Sequence, residues 1–426
     1  MNGPAAGARG VGASTFRLSI ILALLGTFAP FSTDMYLAAF PAMAADMATD
    51  IERVQLTLAV FFFGLASGQL IYGPLSDRLG RKLPLYGGLA LYILATACMI
   101  FVRDIDGFLT LRFLQAVGGC SGMVIGRAVV RDSYDLAGAT RVFTILMAVQ
   151  SVGPVVAPVA GAYLTRVSGW GSNFVFMTAL GLMSLAAVRF FLPESLSADR
   201  RVRQGMKASL ASFVAVTRRP VFRWTALAGS FGGGAMFSFI SGSPSLLMGS
   251  YGFDEAQYGW TFAAYSVLIA AASQLNYPLL KRFTPLGIMR GTLGWMCLAS
   301  LAMTVLCELR GLPGIRLVLP LMLICFLPFP LAIANSVAIA MHDCGRFAGS
   351  ASSVLGVMQF AAAGAVSAGL SAVTGAVAMP ITFMIFVASL AALVCLFFGY
   401  RAVARAASAD GWQADGKEKA AEKPDA

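Results

Sequence analysis

Residues 73–82 read Gly73-Pro74-Leu75-Ser76-Asp77-Arg78-Leu79-Gly80-Arg81-Lys82, a short basic turn wedged between two apolar stretches. Crossing a hydrocarbon core about 30 Å thick takes about 20 apolar residues in a helix, and both flanking stretches reach that length. Working outward, charge-poor windows of this size recur along almost the whole chain. About twelve spans are predicted by this length rule, near 18–40, 55–75, 83–102, 108–130, 139–164, 174–192, 222–248, 258–280, 288–306, 317–341, 349–370 and 378–400. With 58% hydrophobic and 12% charged residues, the composition lies well outside that of an ordinary soluble domain. Barrel strands would alternate apolar and polar residues over about ten positions, a pattern absent here, so the spans are read as helices.

The longest polar interval inside the chain runs from Pro193 to Arg219 and separates six spans from six. The expected fold is all-α and polytopic, two six-helix bundles around a central cavity. The organisation follows as a tail (1–17), an N-terminal bundle (18–192), a linker (193–221), a C-terminal bundle (222–402) and a disordered tail (403–426) rich in Ala, Asp, Glu and Lys. A faint internal echo links Tyr72-Gly73-Pro74-Leu75 to Tyr277-Pro278-Leu279-Leu280, each entering a basic loop.

Lys and Arg in short loops are retained on the cytoplasmic side during insertion. With both termini cytoplasmic, the inner loops take Arg78, Arg81, Lys82, Arg131, Arg141, the run from Arg200 to Arg223, Lys281, Arg282 and Arg346. That places roughly 25 of the 31 basic residues inside. The net charge of +11 is therefore a property of topology. It is divided among loops beside lipid rather than gathered on one surface for nucleic acid.

Other classes lack their chemistry. The seven cysteines form no Cys-x-x-Cys, and only Cys344 has an imidazole nearby, at His342, so no metal or cofactor is expected. One histidine and one deep carboxylate do not assemble an enzyme site. No Gly-x-x-x-x-Gly-Lys-Ser/Thr loop is present to bind ATP. The partners expected are a small-molecule substrate, protons and the lipid bilayer. A protein made of two facing halves needs no second copy, so a monomer is expected.

Charged groups inside hydrocarbon are costly and mark a pathway or a pair. Asp34 is the one carboxylate well inside a span; at about 1.5 Å per residue from Arg17 it lies about 25 Å from the inner side. Arg112, six residues after Asp106, is about 9 Å deep from the outer side, whereas Arg127 is about 22 Å further along the same span. Asp34 and Arg112 are thus placed to meet in the outer half of the N-terminal bundle, as a proton-exchanging site or as a static brace between spans one and four. Tyr36, Gln115, Phe237, Gln274, Asn276, Asn335 and Gln359 supply aromatic or uncharged polar groups within spans, suited to an amphipathic organic substrate.

The turn at Gly73, Asp77, Arg78, Gly80, Arg81 and Lys82, in its place between spans two and three, resembles the signature loop of the major facilitator superfamily. The resemblance implies a cytoplasmic latch joining Asp77 and Arg81 to Asp132 and to the start of span eleven near Gly349. In span five, Gly153-Pro154-Val155-Val156-Ala157-Pro158-Val159-Ala160-Gly161 is similar to the antiporter motif of that superfamily's drug exporters, with Ala at 157 and 162 where the family usually has Gly. Phe31-Ser32-Thr33-Asp34-Met35-Tyr36-Leu37, Arg112-Phe113-Leu114-Gln115, Gly126-Arg127-Ala128-Val129-Val130-Arg131-Asp132 and Gly349-Ser350-Ala351-Ser352-Ser353 resemble the Bcr/CflA drug-resistance transporters. Ala38 and Ala116 stand where that subfamily usually has Pro and Gly. What this implies is export of small amphipathic compounds by proton antiport across a bacterial inner membrane. A proton-coupled nutrient importer of the same fold is the alternative.

Overall fold

The computed structural model describes residues 18–201, 206–342, 344 and 348–410. The expected N-terminal tail (1–17) and the end of the C-terminal tail (411–426) lie outside them. Among the described residues, ten helices are long and apolar enough to cross a membrane. They are α1 (Leu18–Asp46), α2 (Ile51–Leu79), α3 (Lys82–Met99), α4 (Ile105–Ser133), α5 (Gly138–Ser168) and α6 (Gly171–Phe191), then α9 (Pro285–Arg310), α10 (Ile315–Met341), α11 (Ala348–Val373) and α12 (Pro380–Ala404). Two further long helices, α7 (Pro220–Pro244) and α8 (Glu255–Ser273), occupy the remaining expected spans. They fall short on apolarity: α7 is rich in Gly and Ser and buried on nearly every face, and α8 opens on Gln257, Tyr258 and Trp260. The chain is a multi-pass helical membrane protein.

Within the first half, α4 packs on α2 and α3, α3 on α6, and α1 on α5. Within the second, α7 is the hub for α10, α11 and α12, and α9 packs on α10 and α12. Two seams join the halves, α2 against α11 and α5 against α8. The first seam runs the full length of its helices, from Gly73 against Ser353 near the basic turn to Ser371 Oγ donating to the Glu52 carbonyl (2.8 Å) at the opposite end. In the second, Ser266 Oγ donates to the Pro154 carbonyl (3.1 Å), and Gly259 faces Pro158 and Ala162. Nearer the basic turn, Thr144, Ile145, Met147, Ala148, Gln150 and Ser151 of α5 are exposed around the helix. The second seam therefore opens toward that end.

One expectation is corrected. The helix after Pro380 continues to Asp410, so residues 403–410 extend α12 instead of joining a disordered tail; Ala-rich sequence such as Ala402, Ala404, Ala406 and Ala407 favours helix once a preceding span supplies the nucleus. The linker holds a helix of its own, Met206–Thr217, whose Phe213 and Val216 are buried in a small cluster with Phe222 and Ala226.

Candidate functional site: a buried acid and arginine, and a charged latch

α1 does not run straight through. Its helix stops at Asp34, turns through Met35 and Tyr36, makes a short 3-10 segment at Leu37–Ala39, and resumes at Phe40–Asp46. Pro41, just inside the resumed helix, has no N–H to return to the Leu37 carbonyl, so the helical ladder is interrupted there even with Ala at 38. Across the interface Gly161 of α5 accommodates the break: it sits so close to Met35 that a Cβ there would overlap the Met35 carbonyl. Ala157, one turn earlier, is fully buried. The small residues of 153–161 are the surface on which the kinked α1 rests.

Asp34 is 3% exposed. Its Oδ1 has no hydrogen-bond partner, while the neighbouring Thr33 hydroxyl is turned to the carbonyls of Ala29 (2.9 Å) and Pro30 (3.2 Å). The carboxyl lies within electrostatic reach of Tyr36 and, across the seam, of Tyr258 on α8. Arg112 is fully buried, yet it does not pair with Asp34. One terminal nitrogen donates to Gln115 Oε1 (2.5 Å) and the other to the Ser32 carbonyl (2.9 Å) and the Tyr36 hydroxyl (3.0 Å). The guanidinium lies 4.4 Å from the ring centres of both Tyr36 and Phe61. The expected ion pair is thus replaced by neutral acceptors and aromatic faces, because the kink in α1 turns the Ser32 carbonyl and Tyr36, rather than Asp34, toward α4. Tyr36 is held in turn by Thr57 (2.7 Å), Gln115 by Thr96 (2.9 Å), and Ser32 by Tyr92 (2.9 Å).

Around the Gly73–Lys82 turn the charges do pair. Arg81, 3% exposed, binds Asp77 at 2.5 Å and Asp132 at 2.7 Å, and adds Ser76 Oγ at 2.9 Å. Arg78 is exposed and joins no ion pair among the described residues. A residue that sequence reading missed completes the cluster. Glu194 accepts from the backbone amides of Arg81 (2.8 Å) and Lys82 (3.2 Å), capping the start of α3, and from Leu196 (3.1 Å). Burial pushes the Glu194 carboxyl up, but these three amides and the Arg201 guanidinium outweigh it and hold it below the ordinary carboxylate range. Gly80 has φ +91°, a conformation that L side chains rarely adopt, and lies beside the Glu194 carboxylate and the Arg201 guanidinium. The available signal was an acid straight after Phe191-Leu192-Pro193, opening a mainly basic segment whose one other acid is Asp199. The start of α11 also arrives here, with Gly349 beside Arg131.

A cavity of about 720 Å³ enters from this end between α2, α4, α5, α11 and the linker helix. Its wall includes Gln69, Val124, Arg127, Phe143, Phe213 and Ser353. The seven substrate candidates are not part of that wall. Tyr36 and Gln115 are buried around Arg112. Phe237 packs edge-on against Phe62 across the halves, with ring centres 4.4 Å apart. Asn335 donates to Asn276 (2.7 Å), Gln274 is exposed beside Ser273 (3.3 Å), and Gln359 is half-buried in α11.

A cavity reaching from one end into the seam between two helix bundles is the layout of a membrane carrier. The chain belongs to the Major Facilitator Superfamily, whose family model matches residues 22–368. It is similar to the bicyclomycin resistance protein homolog of Haemophilus influenzae, 29% identical over 82% of this chain and 87% of that one. It is likewise similar to the multidrug resistance protein MdtL of Citrobacter koseri, 30% identical over 78% and 82%, and to a chloramphenicol resistance protein of Pseudomonas aeruginosa, 29% identical over 70% and 72%. The fold matches an inward-facing, occupied bacterial homolog of the human lysosomal transporter Spinster, with TM-score 0.68 and 14% identity over 92% of this chain and 97% of that one.

Proposed function

We propose that this protein exports small amphipathic organic compounds by proton antiport, rocking between inward- and outward-open states in a bacterial inner membrane, as a monomer with both termini cytoplasmic. The relatives named for bicyclomycin, chloramphenicol and multidrug resistance support the substrate class. The basic end, where the latch and the cavity mouth lie, is then the cytoplasmic one.

One observation carries the coupling: Asp34 is buried at the break in α1, with no hydrogen-bond partner at Oδ1 and no cation paired to it among the described residues. A carboxyl in that setting is stable as the neutral acid, and ionising it there is costly unless its surroundings change. Losing the proton therefore favours a different packing around the kink, where α1 meets Gly161 of α5 and where Tyr258 approaches from the other half. Arg112 serves as a positioning residue, holding the Ser32 carbonyl and Tyr36 so that the kink keeps Asp34 clear of a counter-charge. Substrate and proton each bias one two-state equilibrium, which is all that coupling requires. The Arg81 latch braces the cytoplasmic ends of α2, α3 and α4 as one body during rocking.

Proteoliposomes with an imposed proton gradient, a pH-sensitive lumenal dye and a panel of cationic, neutral and zwitterionic antibiotics test this reading. Substrate-triggered proton release that disappears in Asp34→Asn supports it. Equal release in the variant removes Asp34 from coupling, and uptake of sugars or amino acids in the direction of the proton favours an importer.

A further inference from the structure

The latch uses its charges up, but the cavity beside it does not. Asp77 and Asp132 are bound to Arg81, and Asp135 caps α5 by accepting from the Gly138 amide (3.0 Å). Arg127 and Arg131 line the same cavity, and neither is in an ion pair among the described residues. They are four apart on α4, hence on one face one turn apart. Arg127 lies about 8 Å deeper than Asp132 along the helix, and it is open to the cavity rather than packed into the bundle.

Their surroundings favour an anion. The first two turns of α11 contribute Gly349, Ser350, Ser352 and Ser353 to the wall, bringing the positive end of a helix beside Arg131 at Gly349 and three serines into the same cavity. Val124 and Phe143 form an apolar flank. Two uncommitted guanidiniums match the geometry of a planar or tetrahedral oxyanion, and the flank suits an apolar body attached to it.

We propose that Arg127 and Arg131 form an oxyanion subsite at the entrance to the transport cavity, which selects amphipathic compounds bearing a carboxylate or phosphate-type group. The proposal deepens the export reading and rests on it for direction only. Arg127 makes the deeper contact and Arg131, beside Gly349, guides entry. A phosphate-bearing lipid headgroup carries the same chemistry and enters the test as the competing source.

The test uses a matched pair, a dansyl-labelled aliphatic carboxylate and its methyl ester, with binding read by fluorescence on the purified full-length protein. The expected result is tighter binding of the carboxylate, with the carboxylate-to-ester ratio falling about tenfold in Arg127→Gln, less in Arg131→Gln, and largely kept in Arg127→Lys. Equal affinities in the unaltered protein, or an unchanged ratio in Arg127→Gln, would overturn the subsite. Bilayers of phosphatidylcholine alone are compared with bilayers containing phosphatidylglycerol. Loss of carboxylate preference only in the second would assign the arginines to lipid and overturn the assignment to substrate. Proton-driven export of the ester by the unaltered protein separately tests the export reading, so the two can fail independently.

Discussion

Two arginines of this protein are almost entirely buried and are treated in opposite ways. Arg81 is held between the carboxylates of Asp77 and Asp132. Arg112 meets no carboxylate among the described residues, only a carbonyl, a hydroxyl, an amide oxygen and two aromatic rings. A guanidinium neutralised by two anions is a fixed brace, and removing one partner of such a pair exposes an uncompensated charge. A guanidinium stabilised by dipoles and ring faces keeps its formal charge, and in the coupling proposed above the bundle around it responds to whether Asp34 is ionised. On that proposal the contrast separates a mechanical joint at one end from a responsive centre near the other.

The largest expected effect bears on the responsive centre. Asp34→Asn, isosteric and permanently neutral, should abolish proton-coupled transport while leaving folded protein in the membrane; retained coupling would erase the distinction between the two ends. Next, Arg112→Lys keeps the charge but loses the fork that serves three acceptors at once. It should lower transport more than tenfold with little loss of protein, and near-normal transport would reduce Arg112 to packing. Arg81→Ala should act the other way, costing about 3 kcal/mol, visible as a lower thermal midpoint in detergent, and a cost no larger than that of Arg78→Ala would break the latch reading.

The smallest effect sharpens the latch. Glu194 is solvent-exposed, so Glu194→Gln should cost only about 0.5–1 kcal/mol as an acceptor at the start of α3. Because its folded carboxyl titrates below its ordinary value, the stabilisation is complete above the unfolded carboxylate range, about pH 4–5, and is lost as pH falls through the folded value. The thermal midpoint should therefore be flat with respect to this group from pH 5 to 8 and fall below about pH 4, with a shallower fall in Glu194→Gln. Parallel curves for the two proteins would remove Glu194 from the latch.

Much of this molecule was legible before any coordinates. Length and apolarity set most of the spans, ten among the described residues, since a helix must satisfy its own backbone and cover about 30 Å of hydrocarbon; α7 and α8 are less apolar. Asp77, Arg81 and Asp132 could be named together because the turn and the end of span four resemble the family's latch. Asp34 and Arg112 stood out because charge inside a span is rare. Partnerships were harder to see. Phe61 and Thr57 sit inside an apolar run with no local mark, and Glu194 is more than a hundred residues from the amides it caps.

By itself the sequence determined the helical membrane class, the six-and-six division and the identities of the buried ionisable groups, because these follow from hydropathy and charge counted along the chain. Only the tertiary structure decided which charges meet. α1 breaks just before Pro41, and Gly161 leaves room for the Met35 carbonyl at the break; there Tyr36 meets Arg112, while Asp34 has no cation paired to it among the described residues. Which groups face each other across the packed helices is not set by the spacing within either one.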